Sequence, residues 1–134
     1  MLNRAQIISK AREYVGTPVI HQGRVKGVGI DCVGLIVCVA KELGICIIEP
    51  PPEYRRVIRQ RQVLDRLDEQ FVGPKKTWDP GDILVMGNNP RKNLAHHLGI
   101  ATESGIIHAN ILVRRVVEHI LGEPYLSKVM CAYS

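Results

Sequence analysis

"GIDCVGLIVCVAKELG", residues 29–44, sets an Asp-Cys pair between glycines and an apolar run. Apolar residues at 32, 35, 36, 39, 40 and 43 recur at the spacing of a helix with one buried face. Asp31 is an N-cap residue type, and Gly44 stands where a helix stops. The stretch therefore predicts a helix over 32–43 with Cys32 in its first turn. A cysteine there can be core filler, a metal ligand or a nucleophile. The free N–H groups and dipole of a helix start favour negative charge, which lowers a thiol's pKa. Cys38, Cys46 and Cys131 lack that placement.

Outward from this helix the chain changes character once. Upstream, Ile7, Ile8, Ala11 and Val15 predict a helix over 3–15, ended by Gly16-Thr17-Pro18. Residues 16–30 hold Gly16, Pro18, Gly23, Gly27 and Gly29 and read as loop. Downstream, Pro50-Pro51-Pro52 breaks the chain, and a basic helix is expected over roughly 54–71. From Trp78 the pattern turns to strands. Asp79-Pro80-Gly81-Asp82 is a turn before the buried-strand pattern Ile83–Met86, and residues 87–90 turn again. Strands are expected over 94–102 and 106–113, joined at 103–105, with another over 116–120. Helices first and antiparallel strands after give an α+β fold. A chain of 134 residues suits a single domain spanning 1–134.

Composition narrows the class of function. The chain is 46% hydrophobic and 23% charged, as in an ordinary globular protein. No apolar run reaches the ~18 residues of a membrane span, so no membrane partner is expected. The N-terminus MLNRAQIISKAREYVG has spaced apolar positions and no small-residue cleavage site. It does not read as a signal peptide. Synthesis in the cytoplasm with four reduced thiols is the expectation. The formal net charge is +5, with basic clusters at Arg55, Arg56, Arg59 and Arg61, at Lys75-Lys76, at Arg91-Lys92 and at Arg114-Arg115. Such a surface favours anionic partners such as cell-wall polymers, nucleic acid or an acidic protein face, or is simply a solvated basic face. One Phe and four Tyr offer few stacking platforms, which argues against nucleic acid. No motif calls for a cofactor or a resident metal.

A nucleophilic thiol needs a base within hydrogen-bond reach and a group that orients the base. "HHLGIATESGIIHAN", residues 96–110, offers both on two strands joined by a turn. Side chains alternate along a strand, so His96 and His97 point to opposite faces and only one can approach Cys32. In a hairpin centred near Ser104, His97 lies opposite 110 or 111, with His108 as a diagonal neighbour. Cys32, His97 and His108 could thus serve as nucleophile, base and orienter. By spacing alone, Cys32 as core filler and His108 as a satisfied core histidine stay open. Zinc would suit the same three residue types, but the chain lacks a paired-ligand motif.

Five segments, in one order over nearly the whole chain, resemble the NlpC/P60 cell-wall peptidases. "DCVGL" at 31–35 is similar to the nucleophile motif of that family, "HLGIA" at 97–101 to its base motif, and "GIIHA" at 105–109 to its second-histidine motif. "WDPGDILVM" at 78–86 resembles the strand before the base, and "GTPVIHQG" at 16–23 resembles a G-T-P-Y segment. The opening "GTP…HQG…GVGIDC" looks most like the phage-tail and gene-transfer-agent branch. The resemblance implies a papain-like α+β fold, with the nucleophile helix packed on an antiparallel sheet of about five or six strands. It implies cleavage of peptidoglycan stem peptides between D-glutamate, through its γ-carboxyl, and the diamino acid. By position it makes Cys32 the nucleophile, His97 the base and His108 its orienter, and leaves His96 facing away. Phage tail or tail-tip proteins are the implied partners; the alternative is a structural tail-assembly component with an unused site.

Two positions depart from the family pattern. Val19 stands where the family has Tyr beside the nucleophile, and Val33 where Ser is frequent. In some relatives that Ser, with the preceding Asp, helps recognise a free L-Ala amine. Asp31 is here either that contact or a helix cap. His21, in the loop near the expected cleft, is either a substrate contact or a solvent-exposed residue.

Overall fold

A computed structural model describes residues 3–47, 67–87 and 97–134. The expected basic helix before residue 67, Pro50-Pro51-Pro52, the clusters at 55–61 and 91–92, and His96 lie outside the described residues; residues 67–70 are helical.

Two helices open the chain. Asn3 caps α1 (Arg4–Arg12): its side chain accepts from Gln6 N–H while Gln6 reaches back to Asn3 N–H, a reciprocal capping box. The helix is shorter than the spacing predicts, because residues 13–16 close it as turns. The loop over 16–30 contains a small hairpin that the glycine content conceals, β1 (Arg24–Val25) paired with β2 (Gly29–Ile30). Asp31 caps α2 (Cys32–Glu42), which lies within the predicted bounds.

The rest is sheet: β3 (Ile83–Met86), β4 (His97–Ala101), β5 (Gly105–Asn110), β6 (Arg115–Ile120) and β7 (Val129–Tyr133). These form one five-stranded antiparallel sheet in the order β6-β5-β4-β3-β7. The sequence pattern does not reveal β7, which returns beside β3 after a 3-10 turn at Leu126–Lys128. Its middle residues are half-buried and carry no clean alternation.

The sheet is covered on both faces. Ile83, Val85, Leu98, Ile100, Ile107, Ala109 and Tyr133 pack with the buried residues of α1 and α2. Leu84, Met86, Ala101, Ile106 and Ala132 form a second cluster under Trp78, Leu121 and Tyr125. Burial on both faces explains why β3 reads as an unbroken apolar run rather than an alternating one. One polar exception is Asp82, fully buried just before β3. It accepts from Arg4 at 2.6 Å, from Lys75 at 2.8 Å and from Asp79 N–H at 2.9 Å, which ties α1 to the sheet. These partners outweigh the burial cost and hold its carboxyl below the usual range. No helix among the described residues is long and apolar enough to cross a membrane.

Candidate active site

The site lies where α2 starts against the end of β4. One Asp31 oxygen accepts from Gly34 N–H at 2.7 Å, the cap, and from Arg24 Nη1 at 3.0 Å. The other accepts from Gln22 N–H at 2.7 Å. Asp31 therefore clasps the loop 16–30 onto the helix start, and the cap reading of this residue is formed in the fold. A Cβ on Gly34 would stand 2.3 Å from Gly23 O, so only glycine lets the loop backbone close on the first turn of α2.

Cys32 is half-buried, and the Leu98 backbone N–H is among the groups that favour its thiolate form. The β4–β5 register ends at Gly99↔His108, which leaves that N–H outside the ladder. Leu98 follows His97, so the fold brings the thiol to the strand end that carries the histidine. The charge balance differs from the one read from helix placement. Burial first, and the Asp31 carboxylate second, push the Cys32 thiol up to about 12. The backbone N–H groups of Leu98, Val33 and Cys32 pull the other way and are outweighed. The physical reason is first that the sulfur is taken out of water, and second that the cap residue of this helix is a carboxylate.

His97 and His108 are joined, Nε2 to Nδ1, at 2.7 Å. Their rings meet edge to face, with centroids 4.9 Å apart. The register makes them diagonal neighbours, as the hairpin arithmetic expects: His108 pairs with Gly99, two residues beyond His97. Gly99 is the cleared ground between them. A Cβ there would lie 2.6 Å from Ile106 Cδ1 and 3.2 Å from His108 Cβ. His108 is 2% exposed, and burial, then repulsion from His97 and His119, lowers its pKa to about 3. It is a neutral ring at any ordinary pH.

A third histidine joins this pair, and sequence reading missed it. His119 Nε2 is 2.7 Å from His108 Nε2, and His119 Nδ1 is 2.9 Å from Ile120 O. The available signal was the strand expected over 116–120, but only the β5–β6 register shows that 119 sits diagonal to 108. Arg24, the partner of Asp31, was missed because the glycines of 16–30 conceal the short hairpin that pairs Arg24 with Ile30, next to Asp31.

The other sequence-predicted residues are placed as follows. Val19 is half-buried, bridges in parallel to Ile30 and packs against the core. Val33 is 7% exposed and belongs to the core cluster. His21 is half-buried in its turn, with Nδ1 4.0 Å from Asp31 Oδ2. Among the described residues, no group of three or more His, Cys, Asp or Glu is placed to hold a metal ion. The chemistry present is a thiol in the first turn of a helix packed on β4 and, at the start of that strand, a histidine hydrogen-bonded to a neutral one, the residue types that acyl transfer uses.

The architecture is that of the NlpC/P60 fold, a papain-like α+β arrangement. An NlpC/P60 family protein from Bacillus cereus superposes with a TM-score of 0.75 at 21% identity, over 99% of this chain. This chain spans 40% of that protein's length. The NlpC/P60 domain of the peptidoglycan hydrolase SagA superposes with a TM-score of 0.70 at 21% identity, over 99% of both chains. RipD from Mycobacterium tuberculosis, described as a non-catalytic NlpC/P60 domain protein adapted to peptidoglycan binding, gives 0.62 at 14% identity, over 100% of this chain and 98% of that one. No protein-family model matches the sequence, and no curated protein matches it.

Proposed function

We propose that this chain is a cysteine peptidase of the NlpC/P60 type that hydrolyses peptidoglycan stem peptides. The observation that carries the reading is the His97–His108 hydrogen bond at the start of β4, with Cys32 opening the helix packed on that strand. In this reading Cys32 Sγ attacks the scissile carbonyl carbon while its proton passes to His97. The C–N bond then breaks as His97 returns that proton to the departing amine. Water, deprotonated by His97, attacks the thioester and releases the acid and the free thiol. The backbone N–H of Cys32, at the helix start, helps hold the oxyanion. A high resting thiol pKa fits a mechanism in which proton transfer to His97 accompanies attack.

The finer assignment rests on the motif resemblance: the bond is that between D-γ-glutamate and the diamino acid, and the setting is a phage or phage-like tail acting at the bacterial wall. Asp31 adds a specificity argument. Its oxygens are engaged by Gly34, Gln22 and the Arg24 guanidinium, so a substrate ammonium would have to displace a cation already there. The substrate is therefore a stem peptide still joined to the glycan through its N-terminal end. The test digests two defined substrates, a muramyl-linked stem peptide and the same peptide with a free L-Ala amine, with products identified by mass. Cleavage is expected at the D-glutamyl–diamino acid bond, at least as fast on the linked peptide, and abolished in Cys32→Ala and His97→Ala. Cleavage that persists in purified Cys32→Ala would sink the assignment.

A further inference from the structure

The three-histidine chain has a direction, and a backbone carbonyl at its far end fixes it. Ile120 O can only accept a hydrogen bond, so the His119 nitrogen 2.9 Å away, Nδ1, must donate. A neutral imidazole has one N–H, so His119 Nε2 is the bare nitrogen. His108 Nε2, 2.7 Å from it, must then donate, which leaves His108 Nδ1 bare. That nitrogen in turn accepts from His97 Nε2–H at 2.7 Å, and the basic lone pair of His97 falls on Nδ1. With all three rings neutral, reversing the chain would set a bare His119 Nδ1 against the carbonyl oxygen, lone pair to lone pair.

The supports are built into three strands. His97, His108 and His119 step diagonally across β4, β5 and β6 on one face. The His108–His119 rings meet edge to face, with centroids 4.9 Å apart. The Tyr125 ring lies 5.5 Å from His108 and 4.7 Å from His119, and its hydroxyl accepts from Asn110 Nδ2 at 3.2 Å. The pair is therefore held against rotation from the side as well as from its ends.

We propose that His119 is a positioning residue that, by anchoring to Ile120 O and accepting from His108, selects the His97 tautomer whose Nδ1 takes the Cys32 proton. The claim about turnover rests on the peptidase reading above; the claim about tautomers does not. A ring acting two hydrogen bonds away works through His108, as a second orienting partner fixes a tautomer through the first.

The test compares His119→Phe, which keeps the ring but cannot accept, with His119→Gln, whose side-chain oxygen can accept from His108 Nε2–H. Nitrogen-15 spectra of the histidine rings report tautomers directly. The wild type is expected to show His97 and His108 protonated on Nε2 and His119 on Nδ1. His119→Phe is expected to mix the tautomers of His97 and His108 and to lower kcat by roughly 10²-fold with KM little changed, and His119→Gln to recover most of both. Fixed tautomers and undiminished kcat in His119→Phe would overturn the proposal, as would a wild-type His119 protonated on Nε2. Should His119→Phe fail to fold, the wild-type spectrum still decides. Should the wild type cleave no peptidoglycan fragment, the peptidase reading fails while the spectra still judge the tautomer claim.

Discussion

At Cys32 two physical effects compete on one sulfur atom. Backbone N–H groups at the helix start and at Leu98 favour the thiolate, while burial and the neighbouring Asp31 carboxylate favour the thiol. The thiol wins in the resting protein. Its titration lies on the alkaline side, so iodoacetamide should modify Cys32 more slowly than exposed Cys46 at pH 7, and the rate should climb well above that pH. Asp31→Asn isolates the cause. Asn caps a helix about as well as Asp, but the carboxylate charge is gone and the Arg24 cation stays nearby. Alkylation at a given pH should then accelerate, as followed by mass spectrometry of the Cys32 peptide. A wild-type rate already at its plateau below pH 7 would show a preformed thiolate–imidazolium pair instead.

The elements depend on what they omit as much as on what they contain. β4 can hand His97 to His108 because Gly99 lies between them with no side chain. In Gly99→Ala the added methyl meets the end of Ile106, which can turn aside, and His108 Cβ, which cannot move without the strand. Small overpacking of this kind costs about 1–3 kcal/mol. We expect a melting temperature lower by several degrees, together with a larger fall in peptide cleavage than the stability loss accounts for. Wild-type turnover in a destabilised Gly99→Ala would show that the His97–His108 spacing is tolerant. α2 makes a parallel point: Asp31 caps it locally, but the Arg24 that holds that cap and the Gly23 backbone that closes on Gly34 come from the loop packed against its start.

For the molecule as a whole, the buried histidine links stability to pH. His108 titrates near 3 in the fold and near 6.5 when unfolded, so between these values the unfolded chain binds the extra proton. Stability therefore rises with pH across that window, is full above about 6.5 and is lost as the medium is acidified toward 3. Asp82, held below its ordinary range, acts in the same direction at lower pH. Thermal melts from pH 7.5 to 4.5 should show a falling midpoint, and His108→Gln, which cannot titrate, should flatten the upper part of that fall. An unchanged slope in the variant would mean His108 is not the group responsible. Much of this architecture was legible beforehand. Asp31, the 3.6-residue period and Gly44 marked α2, Ile83–Met86 marked the central strand, and the motif order from Gly16 to Ala109 pointed to the α+β fold. Those signals are local: caps, periods and turns depend on residues a few positions apart, so the chain alone determined the order of α1, α2 and β3 to β6, the cysteine at the helix start and the hairpin that makes His97 and His108 diagonal neighbours. Only the tertiary structure decided the register of β5 against β6, the return of β7, the grip of Arg24 on Asp31 and the burial of the thiol. Each of these is a contact between distant parts of the chain, and the strength of a charge or the direction of a histidine depends on what packs around it rather than on what precedes it.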